Sequence, residues 1–328
     1  MVRYLKVLLL LAMLLVMAGC GQDALGTNTK NLILYSEIDA NFTESLVSEY
    51  NKQNKNGIIV KAIYELKDDT EPDMVLCGSR TLNGFKKDNK LQSVLCSAGD
   101  RLPADFKDSD ECWYGAFYDP TVFLINQRYA RTIGQENIKG WSDLENLADV
   151  RIALENLSNS NSTQNFLGAM ASHMGENISL NYLLNINRYI GQYAKFPFTP
   201  IRMTAVGDAD IALTRQSYVF KYLENNFPAY VVFPVEGTPV NLYGAAVFKT
   251  CHRQQDAAAF IDWLIADDDV KRICLEKNTG FMFLLPHGVD APAAEPDKLW
   301  LNTSYLGYQE QEKLNKKWLD IVRFSNDK

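Results

Sequence analysis

Short apolar segments alternate with amphipathic helical segments along most of this chain. Residues 32–36 form an apolar run, and the segment after it places Phe42, Leu46, Val47 and Tyr50 on one face of a helix. Strands that alternate with helices in this way predict crossover connections and a parallel sheet covered on both faces. The predicted fold class is therefore α/β.

A second run of the same alternation begins near Trp141. It contains a predicted strand over 150–154, a polar loop over 156–162 and a helix over 163–174 with its apolar residues on one face. No fixed-period repeat is evident in the sequence, which argues against a solenoid. Because each half of the chain starts its own alternation, the pattern predicts two α/β lobes.

Two segments rich in glycine, proline and aromatic residues stand where these halves meet. They cover residues 113–120 and 236–244. Taken singly, each fits an ordinary surface loop as well as a link between domains. Their shared position favours a hinge, where the chain crosses between the lobes and lines a cleft.

The chain begins with basic residues, an apolar stretch and a cysteine. Arg3 and Lys6 precede the apolar run, and two small residues stand directly before Cys20. This pattern predicts a lipoprotein signal peptide over 1–19, a lipid on Cys20 and a tether over 20–30. An ordinary secretory signal and an N-terminal membrane anchor are the alternatives. The apolar run is shorter than the roughly 20 residues that a permanent membrane-spanning helix needs.

Composition fits a soluble domain after that cleavage. About 309 residues remain, and the chain is 47% apolar and 11% aromatic, which is ample for a packed core. Loss of Arg3 and Lys6 shifts the formal charge from −7 to −9. An acidic chain lacks the basic surface that a phosphate backbone requires, so no nucleic-acid partner is expected.

Cysteine usage leaves two interpretations open. The cysteines after Cys20 are Cys77, Cys96, Cys112, Cys251 and Cys274. Local disulfides between Cys77 and Cys96 and between Cys251 and Cys274 are one interpretation, and buried free thiols are the other. No CxxC pair occurs and the histidines are isolated, so neither a metal site nor a cofactor is expected.

Three sets of residues, in consistent order, resemble a known family. They are Leu32–Ser36, Trp141–Leu144 followed by Arg151–Leu154, and Glu236–Pro239. Over residues 31–285 the chain resembles the iron(III)-type substrate-binding proteins of ABC importers. The resemblance implies the type 2 periplasmic-binding-protein fold, with two Rossmann-like lobes, crossing strands between them and a ligand in the interlobe cleft.

The resemblance also implies a division of the chain and a set of partners. The first lobe would comprise 31–125 and 244–328, and the second lobe would comprise 126–243. The protein would be a monomer that binds a small ligand and delivers it to an ABC permease with its ATPase. Lipid on Cys20 would hold it on the extracytoplasmic side of a bacterial membrane, beside that permease.

The family's cleft maps onto five segments of this chain. The candidate ligand-binding residues are Ser36, Glu37, Gly78, Ser79, Arg80, Ser160, Asn161, Ser162, Arg215, Tyr218, Thr238 and Tyr243. Open α/β sheets bind ligands beyond the carboxyl ends of their strands, and a helix start offers free N–H groups to an anion. The segment 158–162 also fits a polar turn that caps a helix, and Arg80 also fits a surface ion pair.

The ligand expected from these residues is a small organic anion. Iron-binding members of the family carry adjacent tyrosines, because Fe(III) prefers phenolate and carboxylate oxygens. Here the corresponding segment over 215–218 has a single tyrosine, and no histidine lies near Ser36. The serine-rich loop, with Arg80 or Arg215, suits a phosphonate, phosphate ester, sulfonate or carboxylate better. Fe(III) is the second interpretation.

A lipid-anchored enzyme is the competing class of function. The chain has no GxSxG, P-loop or HExxH motif, and none of its histidines has an evident serine or cysteine partner. No catalytic residue is therefore expected. A glycosidase dyad is assembled from distant carboxylates, so sequence alone leaves that one enzyme class open.

Overall fold

The computed structural model describes residues 31–67, 70–133, 138–223, 227–285 and 295–325. Cys20, with the predicted signal peptide and tether, lies outside these residues. Within the described ranges, no helix combines the length and the apolar character needed to cross a bilayer.

The first lobe begins with three parallel strands and their flanking helices. Its elements in chain order are β1 (Asn31–Ser36), α1 (Ala40–Gln53), β2 (Ile59–Ile63), β3 (Met74–Gly78), α2 (Ser79–Lys87), β4 (Leu91–Gln92) and α3 (Ser97–Asp100). β1 pairs in parallel with both β2 and β3. Asp39 caps α1 by accepting a hydrogen bond from the Phe42 N–H at 3.1 Å. The predicted apolar face of α1 is buried.

The second lobe repeats this arrangement around β6. The elements from the first lobe into the second are β5 (Trp113–Asn126), α4 (Gln127–Ile133), α5 (Trp141–Leu144), β6 (Ile152–Glu155), α6 (Asn161–Met174), α7 (Glu176–Asn187), β7 (Ile190–Ala194), α8 (Phe198–Val206), β8 (Ile211–Arg215), α9 (Gln216–Leu223), β9 (Ala229–Val232) and β10 (Thr238–Phe248). β6 pairs in parallel with β7 on one side and with β8 on the other.

Two long strands, β5 and β10, run through both lobes. They are antiparallel to each other, β10 pairs antiparallel with β3, and β5 pairs antiparallel with β8. The path of paired strands is β2-β1-β3-β10-β5-β8-β6-β7. Most of 113–120 and 236–244 is therefore strand rather than loop. The predicted purely parallel sheet is wrong at this point, because the two strands that link the lobes run in opposite directions.

Each lobe encloses its own hydrophobic core. Phe117 on β5 belongs to the first core, and Phe123, six residues further along the same strand, belongs to the second. A small third cluster packs α8 and α9 against the other face of β5. The predicted two-lobed α/β fold is confirmed.

The C-terminal part of the chain is shared between the lobes. Its elements are α10 (Gln254–Ala266), α11 (Asp268–Glu276), β11 (Met282–Phe283), β12 (Leu299–Trp300), α12 (Tyr308–Trp318) and a π-helical turn at Leu319–Arg323. α10 and α11 contribute Phe260 and Ile273 to the first core. Trp300, Leu314 and Trp318 are buried in the second core instead.

The C-terminal helix packs outside the core of the first lobe. The expected first lobe includes 244–328, and within that range α12 packs against α6 of the second lobe. The physical reason is the apolar face of α12, which finds its cover on α6 and α7. The C-terminal helix thus returns to the second lobe.

All five cysteines after Cys20 are free thiols. Cys77 is fully buried in β3, whereas Cys96 directs its thiol to the Ala258 carbonyl oxygen at 3.8 Å. Burial raises the pKa of Cys96 and of Cys274 to about 12. The two local disulfides are therefore wrong, and the thiols are mostly small buried apolar groups.

Candidate functional site

Three cavities between the lobes share their walls and form one branched cleft. The largest holds about 500 Å³, and the others hold about 130 and about 30 Å³. Residues that line two of the three cavities are Glu37, Ser162, Arg215, Tyr218, Asn241 and Tyr243. Both lobes and the crossing strand β10 thus contribute to the cleft.

Arg215 lies in the cleft at the end of β8, where α9 begins. Its Nη1 donates a hydrogen bond to the Tyr243 hydroxyl at 3.1 Å and lies 3.4 Å from Asp119 Oδ2. Its guanidinium carbon stands 4.0 Å from the centroid of the Tyr218 ring, a cation–π arrangement. Within the described residues both hydrogen bonds leave from Nη1. The remaining N–H groups of the guanidinium can therefore serve a ligand.

Asp119 is a fully buried carboxylate on β5, at the level where this strand passes between the lobes. Its Oδ1 accepts the Ser217 N–H at 3.0 Å and its Oδ2 accepts the Ser217 hydroxyl at 2.6 Å. Burial raises the pKa of Asp119, and Arg215 and Ser217 act in the opposite direction. A buried carboxylate is tolerated only with such partners. Asp119 therefore fixes Arg215 and the start of α9 to the crossing strand.

Helix α6 begins at the wall of the cleft. Ser160 caps it, because its Oγ accepts the Thr163 N–H at 3.3 Å. Asn161 and Ser162 line the cleft, and the buried Ser162 Oγ has no hydrogen-bond partner among the described residues. A helix N-terminus carries free N–H groups and partial positive charge. An oxyanion at this point would give the Ser162 hydroxyl the acceptor that it lacks.

The first lobe supplies the opposite wall from the carboxyl ends of β1 and β3. Glu37 follows β1, and its carboxylate accepts hydrogen bonds from the hydroxyls of Tyr35 at 3.2 Å and Thr81 at 3.0 Å. Residues 78–80, which join β3 to α2, line the second cavity. The end of parallel strands is where open α/β sheets place their ligands.

Two polar contacts join the lobes across the cleft. Arg80 Nη1 donates a hydrogen bond to Gln164 Oε1 at 2.8 Å, and Lys221 Nζ lies 3.6 Å from Asp39 Oδ2. Side chains from both lobes thus meet around the cavities. A ligand in the cleft is within reach of both walls at once.

Over residues 69–308 the chain matches the family model of bacterial extracellular solute-binding proteins. It belongs to this family. Predicted membership of an extracellular solute-binding family is thereby confirmed, and the cleft lies where such a fold holds its solute.

Two relatives are similar to part of this chain. An uncharacterized protein of Haemophilus influenzae is 25% identical over 215 residues, which are 62% of this chain and 61% of the relative. Iron uptake protein A2 of Synechocystis is 27% identical over 231 residues, 63% of this chain and 64% of that protein. Each match thus spans less than two thirds of the relative.

The solved structure is the periplasmic binding protein AfuA of Actinobacillus pleuropneumoniae, with fructose-6-phosphate bound. It superposes with a TM-score of 0.66 at 18% identity and covers 89% of this chain and 98% of that one. The shared fold is that of periplasmic binding proteins. The predicted type 2 fold is confirmed.

Nine of the twelve predicted site residues line the cleft of this solute-binding protein. They are Glu37, Gly78, Ser79, Arg80, Asn161, Ser162, Arg215, Tyr218 and Tyr243. Their contact with a ligand remains a prediction.

Ser36, Ser160 and Thr238 do not line the cleft, and each of their hydroxyls has a structural partner. Ser36 Oγ is buried at 2.9 Å from Thr43 Oγ1, and Ser160 caps α6. Thr238 Oγ1 donates to the Thr121 carbonyl at 2.7 Å, and Thr238 lines a separate cavity behind α9. These three residues hold turns and strands in place.

Two polar residues of the cleft region, Asp119 and Glu155, were not predicted from the sequence. Asp119 is the charged residue within the aromatic segment 113–120, and this contrast in residue type could have identified it. Glu155 ends β6 just as Glu37 follows β1, so the strand-end rule could have found it. It lines the smallest cavity with Arg215, and burial raises the pKa of its carboxyl group.

Proposed function

We propose that this solute-binding protein captures a small organic anion in the cleft and delivers it to the permease of an ABC importer. The anion would be a phosphonate, a phosphate ester, a sulfonate or a carboxylate. The observation that supports this most directly is Arg215. Its guanidinium is held by Asp119, Tyr243 and Tyr218, and it keeps N–H groups for a ligand.

The second support is the position of α6 relative to Arg215. Arg215 and Ser162 both line the smallest cavity, so we expect one oxygen of the anionic group to accept from the guanidinium and from the Ser162 hydroxyl. Hydrogen bonds with an ionised partner are roughly twice as strong as neutral ones. Because Arg215 is on the second lobe and Arg80 is on the first, ligand capture would favour closure of the lobes.

Fe(III) is the second candidate, favoured by the name of the Synechocystis relative, an iron uptake protein. Among the described residues, no group of three His, Cys, Asp or Glu side chains is placed to hold a metal ion. The guanidinium of Arg215 against Tyr218 and Tyr243 would repel a trivalent cation at the phenol oxygens. Those contacts support the anion over iron.

We also propose that the protein acts at a membrane surface. Lipid on Cys20 would anchor it on the extracytoplasmic face of a bacterial membrane, where a monomer could pass its ligand to the permease and the associated ATPase. Binding without turnover distinguishes this role from that of a lipid-anchored enzyme. Conversion of any bound compound would contradict it.

Calorimetric titration of the purified protein tests the proposal. The panel comprises phosphonates, phosphate esters, sulfonates and carboxylates, with ferric citrate beside citrate alone. We expect binding of at least one organic anion, and a loss of about 2 kcal/mol of its binding free energy in Arg215→Gln. The matched control is Arg188→Gln, since Arg188 also stands over a tyrosine ring, at 4.7 Å from Tyr189, but outside the cleft. Tight uptake of iron without binding of any anion would favour the second candidate.

A further inference from the structure

Glu37 gives the cleft a negative charge of its own. Its carboxylate is exposed, and the residue lines both the largest and the second cavity. The hydroxyls of Tyr35 and Thr81 donate to its two oxygens, at 3.2 and 3.0 Å. Among the described residues, Glu37 takes part in no ion pair, and Lys277, which lines the same cavity, forms none with it.

Two other cations of the largest cavity, Arg215 and Lys221, each have a carboxylate partner. Arg215 has Asp119 as its counter-charge, and Lys221 pairs with Asp39 across the cleft. Glu37 therefore stands apart from these pairs as a carboxylate that is held in place by hydroxyl donors alone. Neutral donors orient a carboxylate without cancelling its charge.

A ligand with only negative charge would meet this carboxylate as a repulsive group. A bound ligand would displace water from around Glu37, and like charges then oppose each other more strongly than in water. An ammonium group on the ligand would reverse that interaction, and it would supply three N–H donors to the remaining lone pairs of Glu37. The carboxylate thus selects for a positive group on a ligand whose negative group is bound elsewhere in the cleft.

We infer that the ligand is a zwitterion, with an anionic group at Arg215 and Ser162 and an ammonium group at Glu37. This inference rests on the proposed function, because it takes the anionic end from there. Glu37 is on the first lobe and Arg215 is on the second, so the two charges of one ligand engage different lobes. Neither a simple anion nor a simple amine makes both contacts.

Matched pairs of compounds test this inference. Taurine is compared with ethanesulfonate, 3-aminopropylphosphonate with propylphosphonate, and β-alanine with propionate, each by calorimetric titration of the purified protein. In at least one pair we expect the ammonium compound to bind more tightly by about tenfold or more, the worth of one charged hydrogen bond. Glu37→Gln should abolish that preference and leave the affinity for the compound without ammonium the same or higher. Glu37→Asp should retain part of the preference.

The control variant is Glu44→Gln. Glu44 also accepts a hydrogen bond from a tyrosine hydroxyl, that of Tyr64 at 2.9 Å, but it does not line the cleft. It should keep the full preference. Equal affinity within every pair, or a preference that survives Glu37→Gln, would overturn the inference that the ligand is a zwitterion. If anion binding still depended on Arg215, the proposed function would stand. Binding of no compound from either side would overturn both.

Discussion

Two cavities of similar volume, about 500 Å³ each, lie on opposite sides of helix α9. The first is the largest part of the cleft. The second, which we call the back cavity, is lined mainly by aromatic and aliphatic side chains, including Tyr118, Phe220, Phe233 and Leu275. Volume therefore does not distinguish the two. The chemistry of the walls does: in the described part of the chain the cleft is lined by Arg215, which is paired with the buried Asp119, whereas Glu295 and Lys298 of the back cavity form an exposed ion pair.

Helix α9 forms the wall between the cleft and the back cavity. Ser217 and Lys221 of α9 face the cleft, while Gln216 and Phe220 face the back cavity. The Gln216 side-chain amide donates to the Gly280 carbonyl at 2.6 Å and ties α9 to the segment beside it. A side chain at Gly280 would bring its Cβ within 2.9 Å of the Ser217 Cα, and Gly280 has a φ of 66°. The contact between α9 and the segment at Gly280 thus determines which α9 residues line each cavity.

The largest effect is expected from Asp119→Ala, which removes the buried carboxylate behind Arg215. We expect a loss of about 3 kcal/mol in the free energy of unfolding, because Arg215 and Ser217 lose their buried acceptor. Urea denaturation followed by tryptophan fluorescence measures it. The back cavity has no comparable group, since Glu295, its one carboxylate among the described residues, is exposed.

The control for Asp119→Ala is Asp110→Ala. Asp110 is an exposed partner of Lys86, at 2.8 Å, and its loss should cost less than about 1 kcal/mol. A similarly small loss in both variants would show that the buried carboxylate does not hold the cleft together.

A smaller effect is expected from Ser162→Ala. Its hydroxyl has no hydrogen-bond partner within the described ranges, so the free energy of unfolding should change by less than about 0.5 kcal/mol, while anion binding should weaken by about 1 kcal/mol. Ser160→Ala is the matched variant two residues earlier. Loss of its cap should lower stability by about 1 kcal/mol and leave affinity unchanged. Unchanged anion affinity in Ser162→Ala, measured by calorimetry, would place the ligand away from α6.

The smallest effect is expected from Leu275→Lys, which adds a positive charge to the back cavity. Leu275 is 69% exposed, so stability should change by less than about 0.5 kcal/mol. Anion affinity should stay the same, because the added charge is on the far side of α9. Tighter binding of the anion would identify the back cavity, rather than the cleft, as its site.

The sequence predicted the alternation of strands and helices well, because side-chain periodicity directly reflects which face is buried. The apolar face of α1 and the strand ends at Glu37 and Gly78 follow from that pattern. Strand direction did not follow from it, since hydrophobic runs look alike in parallel and antiparallel pairing. The crossing strands β5 and β10 were therefore expected as hinge segments but not as long antiparallel strands.

At the candidate site, too, the sequence predicted some features and left others to the tertiary structure. Serine hydroxyls look equivalent in a sequence, yet Ser160 caps a helix and Ser36 is hydrogen-bonded to Thr43, whereas Ser162 has no partner among the residues that the structure describes. Asp119 was visible only as a charge within an aromatic segment. Its role required the contact with Ser217, 98 residues later in the chain.

The sequence by itself determined the fold class, the two lobes and nine of the residues that line the cleft, because burial patterns and strand ends are local properties. Only the tertiary structure decided the parallel or antiparallel pairing, the return of α12 to the second lobe and the free state of the five cysteines. It also decided which charges have partners: in the part of the chain that the structure describes, Glu37 has no ion pair, whereas Arg215 has Asp119. Such pairings join residues far apart in the chain, and no local pattern of the sequence encodes them.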